Sequence, residues 1–123
     1  MRPMVLIVDD TPIARMSLRR ALEPRGYHIV EAGSTADAIR VYREEWPDVV
    51  TMDMLMDGHN GIVAIQALKH IDHNVKIIVC SATSDQSFVS GAAKLGVEDY
   101  INKPVDADRL VAAIEKALGK AKA

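Results

Sequence analysis

Four strand-like segments in this chain stop at residues that could do chemistry. Met4–Val8 ends at Asp9-Asp10, Val49–Met52 at Asp53, and Val75–Cys80 at Ser81, while Val97–Ile101 runs into Asn102 and Lys103. One such residue means little, because a carboxylate or hydroxyl after a strand often does no more than cap the next helix. Brought to one rim, they describe a reaction. Asp9, Asp10 and Asp53 would repel one another strongly unless a cation or protons intervened. A hard divalent cation relieves that repulsion, and Mg²⁺ takes one or two carboxylates together with phosphate oxygens. Lys103 offers a mobile point charge suited to phosphate oxygens, and Ser81 offers a hydroxyl donor. The chemistry that uses all of them is phosphoryl transfer to an aspartate nucleophile between electrostatic clamps.

The elements between these residues must bring them together. Met4–Val8 is a continuous aliphatic run, too short for a helix and suited to a strand buried on both faces. Thr11-Pro12 reads as an N-cap with proline at the first helical position. Ile13, Met16 and Leu22 follow at helical spacing until Pro24 and Gly26 end the helix. A second strand covers Tyr27–Ala32, and Ser34 with Asp37 resembles a capping box. A helix carrying Ala38, Ile39 and Val41 runs to about Trp46-Pro47, before the third strand at Val49–Met52. Met54–Asn60 reads as a loop, and Ile62, Ile65 and Leu68 mark a helix from about Gly61. The fourth strand is Val75–Cys80, and a helix covers about Asp85–Leu95 with Gly96 as its cap. The fifth strand is Val97–Ile101, and Asp106 caps a last helix with Leu110, Val111, Ile114 and Leu118 on one face.

Strict strand-helix alternation predicts an α/β fold: a flavodoxin-like, doubly wound, five-stranded parallel sheet in the order 2-1-3-4-5, with five helices. Strands one and three are then neighbours at the switch point, where such folds bind ligands.

Composition narrows the function classes. A chain of 123 residues, 49% hydrophobic and 26% charged, can bury a core and fits one domain over 1–123. Fifteen basic residues against 17 acidic ones, a net charge of -2, exclude the basic footprint of a nucleic-acid-binding module. No apolar run approaches the ~20 residues of a membrane span. The single cysteine, Cys80, fits a reducing compartment, so a cytoplasmic protein is expected.

Over its whole length the sequence resembles the CheY-like receiver domains of two-component response regulators. The match rests on Asp9-Asp10, Asp53, Met56, Gly61, Ser81-Ala82, Tyr100 and Lys103-Pro104. The resemblance implies that Asp53 is the phosphoacceptor, taking a phosphoryl group from a histidine kinase. It implies that Asp10 and Asp53 hold Mg²⁺ directly, with Asp9 acting through water and the backbone carbonyl of Leu55 as a further ligand. Lys103 would pair with the phosphoryl group, the Lys103-Pro104 bond would be cis, and Ser81 and Tyr100 would be the switch residues. The family's Met-Pro pair is Met56-Asp57 here, and its acid before the loop glycine is Asn60. The resemblance implies a monomeric, self-phosphorylating switch rather than a turnover enzyme. Chemotaxis-type receivers are the nearest in kind, through the stretch Lys76–Ala82, and a flagellar motor switch protein is the expected target. A phosphorelay intermediate or a receiver of a larger regulator would share the same site, although Met1 and the short tail favour a stand-alone protein.

Other readings are weaker on specific residues. Haloacid-dehalogenase-like phosphatases need an acid two residues after the nucleophile, where this chain has Leu55. A flavodoxin-like cofactor binder would want a hydroxyl-rich first strand-helix turn, which is missing. His70 and His73 lack further ligands for a zinc set, and His28 and His59 have no partner pattern. Met52, Met54 and Met56 read as packing, and Cys80 as a buried apolar filler. Arg15, Arg19 and Arg20 read as a solvated helix face.

Overall fold

The computed structural model describes residues 2–56 and 59–122. In chain order the strands are β1 (Met4–Val8), β2 (His28–Ala32), β3 (Val49–Met52), β4 (Leu55–Met56), β5 (His59–Asn60), β6 (Ile77–Ser81) and β7 (Asp99–Asn102). The helices are α1 (Pro12–Leu22), α2 (Thr35–Glu45), α3 (Gly61–Ile71), α4 (Gln86–Lys94) and α5 (Ala107–Lys122). Five parallel strands form one sheet in the order β2-β1-β3-β6-β7, which is the expected 2-1-3-4-5 arrangement. The expected loop after β3 instead contains the small antiparallel pair β4-β5. Asp57 lies outside the described residues.

Alternation along each strand feeds two cores. Leu6, Val8, Val50, Met52, Ile77 and Val79 pack with α2, α3 and α4 through Ala38, Val41, Ile65, Leu68 and Ala92. Val5, Ile7, Val49, Ile78 and Cys80 pack on the other face with Leu18 and Leu22 of α1 and Leu110 and Ile114 of α5. A fully buried aliphatic side chain contributes about 1.5–3 kcal/mol, so the sheet is held from both sides. Met52, Met54 and Met56 are buried, as packing predicts. Cys80 is buried too, and burial pushes its thiol up to about 12.

Local signals set the helix ends. The Ser34 hydroxyl accepts the Asp37 N–H at 3.1 Å, and Asn60 Oδ1 accepts the Val63 N–H at 3.3 Å. Asn60 thus caps α3, so its departure from the family's acid leaves the helix start intact. Thr11 occupies the expected N-cap position of α1, with Pro12 following, and the Thr11 carbonyl accepts the Arg15 N–H at 3.2 Å. Its side chain makes no cap bond, because the Thr11 N–H and hydroxyl donate to Asp9 Oδ1 at 3.0 and 3.2 Å. Gly26 and Gly96 take left-handed backbone at φ 93° and 79°, where side chains are strained. The last two sheet strands start two residues later than the expected strands at Val75 and Val97. Val75 and Val97 pack against the core from the connections, outside the ladder.

Candidate functional site

Asp9, Asp53 and Lys103 are the first residues past the ends of β1, β3 and β7, and Ser81 is the last residue of β6. The Asp53 N–H donates to the Val8 carbonyl at 3.0 Å, extending the β1-β3 pairing by one residue and setting Asp53 beside Asp9. The Lys103 N–H donates to the Ser81 carbonyl at 2.8 Å in the same way, so β6 and β7 deliver Ser81 and Lys103 to the same rim. The Lys103-Pro104 peptide bond is cis.

Carboxylate oxygens of Asp9, Asp10 and Asp53 all lie within 4.8 Å of one another. Asp9 and Asp53 are buried, at 2% and 7% exposure. Lys103 Nζ sits 2.7 Å from Asp9 Oδ2 and 3.6 Å from Asp53 Oδ2. Asp53 Oδ1 accepts the Leu55 N–H at 3.3 Å. Burial pushes the Asp53 carboxyl up and the Asp9 charge adds to that, while Lys103 and the Leu55 N–H pull the other way. Burial works against the Lys103 charge, but Asp9 and Asp53 outweigh it and hold the ammonium above the usual lysine range.

The donor set fits a hard divalent cation. All three side chains present oxygen, they crowd into one small volume, and two of them are largely buried. Among the described residues this is the group of His, Cys, Asp or Glu arranged to hold an ion, and His70 and His73 are not part of one.

Gly61 is essential to this packing. Its N–H donates to the Met54 carbonyl at 2.7 Å, and a Cβ there would sit 2.6 Å from the Asp53 carbonyl oxygen and 2.8 Å from Met54 Cα. Helix α3 can therefore start against the Asp53 backbone only at a residue without a side chain. Leu55, two residues past Asp53, is 50% exposed.

Ser81 is fully buried, and its Oγ accepts the Thr83 N–H at 3.3 Å. The Tyr100 hydroxyl donates to the Thr83 carbonyl at 2.8 Å. Burial is the main cause raising the Tyr100 phenol above its ordinary range.

Asp9, Asp10, Asp53, Ser81 and Lys103 therefore lie at one end of the sheet. Tyr100 sits within β7 opposite Val79 and reaches the segment after Ser81 through Thr83. Sequence reasoning missed Arg15 and Glu31. Arg15 and Arg19 are not a solvated face, since both bond Glu31, and Arg15 also reaches the Asp9 carbonyl. No local spacing signals this partnership, which joins a helix to a strand residue 16 positions away.

A hollow of about 160 Å³ beside the rim is lined by Ala14, Ser17, Leu18, Lys103, Pro104 and Val105. A larger one of about 400 Å³ lies away from the carboxylates, around Tyr42, Trp46, Asp48 and Asp72. No helix of the described residues is long and apolar enough to cross a membrane.

The model of the response regulator receiver domain family matches residues 5–115 of the chain. The chain is 44% identical over 115 residues to the chemotaxis protein CheY of Bacillus subtilis, covering 93% of this chain and 96% of that protein. It is 45% identical over 113 residues to the chemotaxis protein CheY of Thermotoga maritima, covering 91% and 94%. A response regulator receiver domain protein from Clostridium thermocellum superposes with a TM-score of 0.92 at 28% identity, covering 98% and 97% of the two chains.

Proposed function

The chain belongs to the response regulator receiver domain family, and from that premise we propose that it is a phosphorylation-dependent signalling switch with Asp53 as phosphoacceptor. The observation that carries this reading is the convergence of Asp9, Asp10 and Asp53 within 4.8 Å, with the Lys103 ammonium between two of them.

In the proposed reaction an Asp53 carboxylate oxygen attacks the phosphorus of a phosphohistidine on a histidine kinase. The new P–O bond forms as the P–N bond breaks, and the imidazole leaves with the electron pair and picks up a proton. The product is an acyl phosphate, and positioning and charge supply most of the catalysis. Asp10, Asp53 and the Leu55 carbonyl, with Asp9 through water, would hold Mg²⁺, which when bound neutralises charge on the phosphoryl oxygens. The Lys103 ammonium, already held charged by two carboxylates, binds a phosphoryl oxygen. The Ser81 hydroxyl can keep accepting from Thr83 while donating its proton to another phosphoryl oxygen.

The output is changed affinity for a protein target through α4, β7 and α5, next to Ser81 and Tyr100. The two relatives named as chemotaxis proteins support a chemotaxis role. In this reading the target is a flagellar motor switch protein, and the chain acts as a cytoplasmic monomer with one domain over 1–123. The test is transfer of labelled phosphate from a phosphorylated chemotaxis histidine kinase, followed by binding to the motor switch protein. Native protein should take the label and then bind more tightly. A target affinity that ignores phosphorylation overturns the chemotaxis output.

A further inference from the structure

Arg15 is not one of the clustered acids, yet it grips their frame. From α1, Nη1 donates to the Asp9 carbonyl at 2.6 Å and Nε to Glu31 Oε1 at 2.9 Å. Glu31 is held in turn, since Oε2 accepts from Arg19 Nε at 2.8 Å, and Arg19 Nη1 bonds Glu23 Oε2 at 2.8 Å. The Arg15 and Glu31 side chains are 19% and 30% exposed, so this chain of charges is sheltered from screening more than a surface pair would be. The guanidinium lies over Gly33, where a Cβ would come within 3.2 Å of Nη1.

The carbonyl that Arg15 holds belongs to the planar peptide unit joining Asp9 to Asp10. The Asp9 N–H is fixed as well, donating to the Ala32 carbonyl at 3.1 Å. Asp9 is thus pinned at both ends, to β2 by its N–H and to α1 by its carbonyl. The direction in which Asp10 leaves the strand is set by the second of these bonds.

We propose that Arg15 is a positioning residue for divalent metal binding: by clamping the Asp9-Asp10 peptide against Glu31, it aims the carboxylates without being a ligand. This inference rests on the reading of Asp9, Asp10 and Asp53 as an Mg²⁺ site. Two roles for Arg15 predict opposite signs. As a mere cation near three carboxylates it competes with the metal, and removing it tightens Mg²⁺ binding. As a clamp, its loss frees the peptide and weakens Mg²⁺ binding, by about tenfold on the scale of other groups that orient metal ligands.

The experiment is calorimetric titration of Mg²⁺ into native protein, Arg15→Met, Arg15→Lys and Asp10→Asn. Arg15→Met keeps the apolar stem and should bind Mg²⁺ about tenfold more weakly. Arg15→Lys keeps the charge but not the rigid fork, so it should also bind more weakly than native protein. Arg15→Lys decides the question alone if Arg15→Met does not fold. Native or tighter affinity in the folded Arg15 variants, with binding lost in Asp10→Asn, overturns the clamp and leaves the metal site standing. Native affinity in Asp10→Asn overturns the metal-site reading itself.

Discussion

Tyr100 is tied to Thr83 by a 2.8 Å hydrogen bond from its hydroxyl to the Thr83 carbonyl, while the Thr83 N–H donates to Ser81 Oγ at 3.3 Å. One peptide segment therefore connects a buried hydroxyl at the acidic rim to a half-buried aromatic on β7. A ligand that pulls on Ser81 pulls on what Tyr100 holds. A ligand shifts such an equilibrium only by its differential affinity for the two arrangements, and Ser81 is where that difference is felt.

Ser81→Ala removes the hydroxyl but leaves Asp53 and Lys103 in place. Target affinity measured with and without a phosphoryl mimic should then lose most of its phosphorylation dependence. An undiminished dependence would remove Ser81 from the mechanism.

Gly61→Ala should damage both fold and site. The added methyl would meet the Asp53 carbonyl oxygen at 2.6 Å, and both neighbours there are backbone atoms. Overpacking of this kind costs about 1–3 kcal/mol, and here it also displaces the phosphoacceptor. Urea unfolding should show the loss of stability, and phosphoryl incorporation by the folded fraction should fall. Native values in both measurements contradict the packing argument.

Phosphoryl lifetime should depend on Leu55 and Thr83, each two positions past a site residue. Leu55 is half-exposed two residues past Asp53, so it is not part of the core. Leucine cannot hydrogen-bond an attacking water, and Thr83 offers one short hydroxyl. Leu55→Asn with Thr83→Glu should orient that water and speed hydrolysis by roughly an order of magnitude. Phosphoryl decay after donor removal checks this, and an unchanged or slower decay in the folded double variant rejects it.

Cys80 should resist alkylation in the native protein. Burial in the β6 core pushes its thiol up to about 12, so near pH 8.5 it stays protonated, whereas an ordinary cysteine is partly thiolate. Iodoacetamide should label it only after unfolding. Raising the pH toward 10 should change the native rate little, and rapid labelling of folded protein would contradict its burial.

The sheet was legible because its strands are buried on both faces. Met4–Val8 appears as an uninterrupted apolar run and Val49–Met52 as one broken only by Thr51, and their acidic stops are part of the site. Strand boundaries were less legible near Val75 and Val97, where apolar residues serve packing outside the ladder, and hydrophobicity alone does not separate the two uses. Arg15 and Glu31 were missed for another reason. Their partnership joins residues 16 positions apart on a helix and a strand, and spacing along the chain carries no sign of it until the fold brings them together. Thr11 stands at the N-cap as expected, but its hydroxyl donates to the Asp9 carboxylate and accepts no helix N–H, a choice between two local partners that residue type alone does not decide.

The central claim is that Asp53 accepts the phosphoryl group. Native protein and Asp53→Asn are incubated with a small acyl phosphate, with Mg²⁺ or with a chelator, and intact mass and fragmentation locate any added phosphoryl. Native protein with Mg²⁺ should gain one phosphoryl, on Asp53, and gain none with chelator, because the crowded carboxylates then repel the donor. Asp53→Asn should gain none. A native-level label in Asp53→Asn, or a label on another residue of the native protein, would contradict the account.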